Sequence, residues 1–108
     1  MSKFLKEDSR AHHYETVIRE EHVKEINRIT TFREMSYDYK VVISAKYRDG
    51  TISDNQFGLA MTYYKEMRFL TKLCLLQIEN NMISEQYVSY MKDIAKAVDK
   101  LERIANGN

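Results

Sequence analysis

Hydrophobic residues recur at helical spacing through the middle of the chain, from Asp54 to Glu79. At about 100° per residue, one set of these residues falls on a single face, as wide as a core-facing stripe. Ser53 precedes the stretch as an N-cap and Gln56 completes a capping box, so we predict a long helix over residues 54–79. The stripe consists of Phe57, Ala60, Met61, Tyr64, Met67, Thr71, Cys74, Leu75 and Ile78.

A second apolar line runs along the same predicted helix, on nearly the opposite side. Phe69, Leu73 and Leu76 follow one another at steps of four and three residues. Burying a Leu or Phe side chain is worth about 1.5–3 kcal/mol, so leaving three of them in water would be costly for a small domain. We therefore expect this line to be covered, either by other helices of the chain or by a second copy in a homodimer.

A third apolar pattern predicts a helix over residues 85–105. Its core positions alternate in steps of four and three, and small apolar neighbours widen the stripe beyond that of a two-stranded coiled coil. Ser84 supplies the N-cap. The core positions are Tyr87, Met91, Ile94, Val98, Leu101 and Ala105.

The first half of the chain gives a weaker helical signal. Residues 10–29 and 32–47 each show an apolar face, and the two stretches are either one continuous helix or two helices. Thr31 followed by Glu34 resembles a capping box, which would start a second helix there. A strand over residues 40–47 is the competing interpretation of the end of this region, because it is rich in β-branched residues and Asp-Gly follows it.

Short connections at residues 49–52 and 80–83 make successive helices antiparallel neighbours. The pattern as a whole predicts an all-α fold, an antiparallel bundle of three to four helices, with the long helix at about 54–79 at its centre. We expect a single helical domain over residues 1–108, with residues 1–8 as a frayed N-terminus.

Composition adds little that is specific. The 17 basic and 16 acidic residues give a net charge of +1, which provides no overall attraction to nucleic acid or to an anionic membrane. Charged residues interrupt every apolar run, so no uncharged window of about 18 residues exists for a membrane span. Acidic residues near the N-terminus argue against a signal peptide, and the single cysteine suits a reducing compartment. We expect a cytoplasmic protein.

Four residues near the N-terminus are candidate metal ligands: His12, Glu15, His22 and Glu25, in two His-x-x-Glu repeats. On a continuous helix Glu15 and His22 lie about two turns, roughly 10 Å, apart, whereas a single metal ion draws its ligands to about 2 Å. The other predicted helices offer no matching histidine. We therefore expect surface ion pairs here, and neither a metal nor another cofactor.

The sequence offers no set of residues suited to nucleophilic catalysis. Cys74 falls on the core stripe, the histidines belong to another predicted helix, and no glycine-rich turn would hold a phosphate or expose a nucleophile. We expect no enzymatic activity.

Two tyrosines fall off the core stripes of their helices and are candidates for contact with a partner. Tyr37 shares its side of the helix with Val41, and Tyr63 lies off the main face of the helix over residues 54–79. Single exposed tyrosines also occur without any function.

These features predict a non-enzymatic protein–protein interaction module. It would act as a small regulator, inhibitor or adaptor, dimeric through Phe69, Leu73 and Leu76, on a partner protein that the sequence does not identify. The alternative is a nucleic-acid-binding accessory protein, or a metal-binding protein that uses the His and Glu residues of the first helix. Basic residues are spread along the first half of the chain, but acidic residues alternate with them as on an ordinary solvated face.

Overall fold

The computed structural model describes residues 9–81 and 83–107, with side chains described from Glu20 onwards. Within these ranges the chain forms three helices and no strand: α1 Ser9–Arg48, α2 Asp54–Glu79 and α3 Glu85–Asn106. The all-α fold is confirmed, with three helices packed against each other. The predicted frayed N-terminus, residues 1–8, lies outside the described residues.

α1 is a single helix of 40 residues, so the two stretches predicted in this region are continuous and the strand over residues 40–47 is not formed. No glycine or proline interrupts the sequence of α1. Thr31 does not cap a second helix, because its hydroxyl donates to the Asn27 carbonyl oxygen at 2.9 Å, one turn earlier in the same helix. α1 ends before Gly50, which takes a φ of 82°.

The starts of α2 and α3 follow the predicted capping chemistry. The Ser53 hydroxyl accepts a hydrogen bond from the Gln56 amide at 3.2 Å, and the Gln56 side-chain oxygen accepts one from the Ser53 amide at 3.1 Å. Ser84 caps α3 by accepting from the Tyr87 amide at 3.5 Å. Both caps satisfy amides that the helix itself leaves without partners.

Contacts between α1 and α2 show that the two helices are antiparallel. Close to their connection, the Tyr47 ring stacks on the Phe57 ring with centroids 4.1 Å apart. Further away, Ser36 of α1 lies 3.7 Å from the sulfur of Met67 in α2. As the chain position decreases on α1 it increases on α2, which is the register of a helical hairpin.

α2 and α3 form a second antiparallel hairpin and share the largest helix contact in the molecule. Near the connection, the side chains of Gln77 and Gln86 form a hydrogen bond of 3.1 Å. At the other end, the Lys100 ammonium lies 4.8 Å from the centre of the Tyr63 ring. α3 consequently runs parallel to α1 and fills the space beside both other helices.

One core runs between the three helices, and each helix contacts the other two. α3 buries its whole predicted stripe. On α1, Ile29, Ser36 and Ile43 are the buried residues among the described side chains, and the partly buried Phe32, Met35 and Tyr39 also pack against the core. The remaining buried residues are Ile52, Ala60, Tyr64, Met67, Leu70, Thr71, Cys74, Ile78, Tyr87, Met91, Ile94, Ala97, Val98, Leu101 and Ala105.

Candidate interaction surfaces

The side of α2 that faces away from the core carries Phe69, Leu73 and Leu76, which we call the outer face of α2. Phe69 is 62% exposed and Leu76 is 53% exposed. Leu73 is half-buried, because it packs against the edge of the core. The helices of the chain itself therefore leave two of these three side chains largely open to water.

Tyr63 does not join the outer face of α2. Its ring is half-buried beside the core, and the Lys100 ammonium of α3 sits over it in cation–π geometry. Glu66 and Asp93 line the same small cleft between α2 and α3. Tyr63 is thus part of the contact between the two helices of the second hairpin.

Tyr37 and Val41 lie one turn apart on α1 and are 56% and 49% exposed. Tyr37 faces a groove between α1 and α2, which the outer face of α2 does not line. The six predicted contact residues therefore occupy three places on the molecule rather than one continuous patch.

The α1–α2 groove has a volume of about 500 Å³ and is open to solvent. The sequence alone does not reveal this groove, because the residues that line it depend on the register between α1 and α2. Spacing offered one signal: Arg33, Tyr37 and Lys40 recur at steps of four and three residues, which places them on one side of α1. The lining residues are Thr30, Arg33, Glu34, Tyr37, Asp38, Lys40, Tyr64, Met67 and Arg68.

Positive charge is concentrated around one ring of the α1–α2 groove. The Lys40 ammonium lies 4.7 Å from the centre of the Tyr64 ring, and the Arg68 guanidinium carbon lies 5.9 Å from the same centre. Both distances fall within the range of cation–π attraction. Among the described residues, Arg33, Lys40 and Arg68 have no carboxylate within 4.0 Å. The groove thus contains three cations that form no ion pair among the described residues, together with the carboxylates of Glu34 and Asp38.

The candidate metal ligands are not brought together in the described part of the molecule. The side chains of His12 and Glu15 lie outside the described residues, and His22 is half-buried on α1. No group of three possible ligands occurs among the side chains that were described. The Glu25 carboxylate instead accepts a hydrogen bond of 2.7 Å from the Tyr87 hydroxyl and forms an ion pair of 3.1 Å with Arg28.

Two buried groups beside this contact have altered proton affinities. Burial raises the pKa of the Tyr87 hydroxyl above its usual value of 10.0, and the hydrogen bond to the Glu25 carboxylate raises it further. Burial likewise raises the pKa of the Cys74 thiol to about 11, with a smaller contribution from the Glu25 charge. Cys74 is therefore protonated at neutral pH, whereas a nucleophilic cysteine must ionise.

Comparison of the chain with protein-family models, with curated proteins and with solved structures gave no match. Within the described residues, no helix is both long enough and apolar enough to cross a membrane. Any function must therefore be inferred from the surfaces of this chain itself, of which the outer face of α2 and the α1–α2 groove are the most distinctive.

Proposed function

We propose that this protein is a non-enzymatic protein–protein interaction module, a small regulator, inhibitor or adaptor that acts as a homodimer. The observation that carries the proposal is the exposure of Phe69 and Leu76 on a helix whose opposite side fills the core. Burying each of these side chains against a partner would be worth about 1.5–3 kcal/mol. The free energy gained on association would thus come from burying the outer face of α2.

The spacing of the outer face suits a second copy of the same chain. Leu73 follows Phe69 by four residues and precedes Leu76 by three, so it stands near the middle of the apolar line. If two copies of α2 cross antiparallel at Leu73, Phe69 of each copy meets Leu76 of the other. Such an arrangement is a two-fold interface, in which both subunits present the same surface.

The expected dimer is weak. A stable interface buries about 800 Å² on each partner, which three side chains cannot supply without their polar neighbours. Lys65 and Lys72 flank the apolar line and would lie at the rim, where charged residues normally occur. We therefore expect an association that depends on protein concentration, as suits a protein that also binds another partner.

A binding role without catalysis agrees with the state of the potentially reactive groups. Cys74 is buried and its raised pKa keeps the thiol protonated. The Glu25 carboxylate is occupied by Tyr87 and Arg28. These groups stabilise the packing of the helices, which leaves the exposed surfaces to carry the function.

Sedimentation equilibrium over a range of concentrations tests the dimer. We expect the wild-type protein to self-associate and Leu76→Glu to be monomeric with unchanged helical content. Val88→Glu is the control, since Val88 is 49% exposed but belongs to α3 and not to the outer face of α2. Leu76 is a better test position than Leu73, where a charge would also disturb the core.

The dimer proposal would fail if the wild-type protein stayed monomeric at every concentration. It would also fail if Val88→Glu weakened the association as much as Leu76→Glu does.

A further inference from the structure

Three cations, Arg33, Lys40 and Arg68, line the α1–α2 groove. Arg33 and Lys40 are seven residues apart on α1, which is about 10 Å along a helix. Arg68 reaches the groove from α2, next to Met67, which contacts Ser36 midway between the two α1 cations. The α1 wall of the groove thus carries two cations about two helical turns apart, and the α2 wall carries the third.

An anionic ligand would relieve the electrostatic cost of this arrangement. Lys40 and Arg68 both lie over the Tyr64 ring, and like charges that line one groove repel each other. Arginine binds carboxylates through paired hydrogen bonds, which are stronger than hydrogen bonds between neutral groups. The chemistry and the spacing together identify a ligand with more than one negative charge.

The other groove residues distinguish a peptide from a nucleic acid. Glu34 and Asp38 also line the groove, and their carboxylates would repel a continuous chain of phosphates. The same carboxylates can accept hydrogen bonds from the backbone amides of a peptide. The exposed Tyr37 ring adds an apolar surface for a side chain of the ligand.

The distance between Arg33 and Lys40 along α1 fits an extended peptide. Side chains on the same side of an extended chain recur every second residue, at about 7 Å. Two or three acidic residues in an alternating pattern would therefore cover the distance from Arg33 to Lys40. A segment of about five residues is long enough to place them.

We infer that the α1–α2 groove is a second binding site, which takes an extended, acidic peptide segment of a partner protein. This inference rests on the proposed function as a protein-binding module, but it concerns a surface separate from the outer face of α2. The groove would select the partner by charge, while the outer face would join two copies of this chain.

Calorimetric titration with a blocked alternating peptide, Ala-Glu-Ala-Glu-Ala-Glu-Ala, tests the inference, and the same peptide with glutamine for glutamate is the control ligand. We expect the glutamate peptide to bind, and Arg68→Glu to weaken this binding by at least about tenfold. Lys92→Glu makes the same charge change on α3, outside both the groove and the outer face of α2, and we expect less than about a twofold effect because salt screens distant charges. Circular dichroism checks that both variants remain helical.

Equal binding of the glutamate and glutamine peptides would overturn the inference, as would equal losses in Arg68→Glu and Lys92→Glu. Tighter binding of a short oligothymidylate than of the glutamate peptide would also overturn it, in favour of a nucleic-acid site. Leu76→Glu separates the two proposals: we expect it to abolish the dimer and to leave peptide binding unchanged. Each proposal can therefore fail while the other stands.

Discussion

The hairpin of α2 and α3 and the long helix α1 are stabilised in different ways. α3 buries a side chain at every turn, from Tyr87 to Ala105. α1 is almost twice as long, yet only Ile29, Ser36 and Ile43 are buried among its described side chains. The comparison shows that a helix can be integral to a small bundle although much of its apolar face, including Phe32, Met35 and Tyr39, is only partly buried.

Individual polar contacts compensate for the sparse apolar packing of α1. The Glu25 carboxylate accepts the Tyr87 hydroxyl near one end of α3, and the Lys46 ammonium donates to the Ala105 carbonyl oxygen near the other end. These two contacts fix the position of α1 along α3. Apolar packing spreads stability over many residues, whereas these contacts concentrate it in a few.

The largest expected effect comes from opening the hairpin core. Leu101 of α3 is fully buried, so we expect Leu101→Ala to lower the free energy of unfolding by about 2–5 kcal/mol through lost packing and a residual cavity. Leu59→Ala is the same substitution at an exposed position, and we expect a change of about 0.5 kcal/mol or less. Urea denaturation measures both, and similar losses in the two variants would contradict the assigned core.

A smaller effect is expected from the contact that holds α1 to α3. Tyr87→Phe removes the hydroxyl that donates to Glu25, and hydrogen bonds to charged groups contribute about 1.5–3 kcal/mol. We expect a loss near the lower end, since Glu25 keeps its ion pair with Arg28. Tyr90→Phe on the same helix is the control, because the Tyr90 hydroxyl has no hydrogen-bond partner among the described residues, and its effect on urea denaturation should be small.

The pH dependence of the same variant gives an independent check. The pKa of Tyr87 is raised in the folded protein, so its contribution to stability is complete below the unfolded value of 10.0 and is lost as the pH rises above it. The stability difference between wild type and Tyr87→Phe should therefore shrink in alkaline solution. A difference that stayed constant above pH 10.0 would show that the hydroxyl is not the group responsible.

The smallest effect tests the continuity of α1. In a continuous helix Thr31 is an interior residue, so we expect Thr31→Ala to stabilise the protein by about 0.5 kcal/mol in thermal unfolding. Thr62 makes the equivalent bond inside α2, to the Gly58 carbonyl oxygen at 3.0 Å, and Thr62→Ala should change stability in the same direction. A loss of about 1 kcal/mol for Thr31→Ala alone would indicate that Thr31 caps a separate helix.

The sequence predicted the α2–α3 hairpin well because its signals are local. The Ser53 and Ser84 caps mark the starts of both helices, and the apolar periodicity identifies most buried positions. The surplus apolar line on α2 was also evident from spacing alone. Phe69 and Leu76 are exposed in the single chain, so its own helices do not cover them, and their role in dimerisation stays a prediction.

The features that the sequence did not reveal depend on the register between helices. Ser36 is buried, and its hydroxyl donates to the Arg33 carbonyl oxygen within α1. The same hydroxyl lies against the sulfur of Met67, which is far from Ser36 in the chain. Glu25 is a candidate metal ligand from its His-x-x-Glu pattern alone, whereas its hydrogen-bond partner Tyr87 lies 62 residues away in the chain. The α1–α2 groove was missed for the same reason.

The thiol of Cys74 is a built-in probe for transient opening of the helical bundle. Cys74 is the only cysteine and has no exposed surface in the folded state. A thiol-specific reagent can therefore modify it only when the helices separate locally or globally, and the rate of labelling in native buffer reports how often that occurs. Slower labelling upon addition of a candidate partner would register binding without any engineered probe.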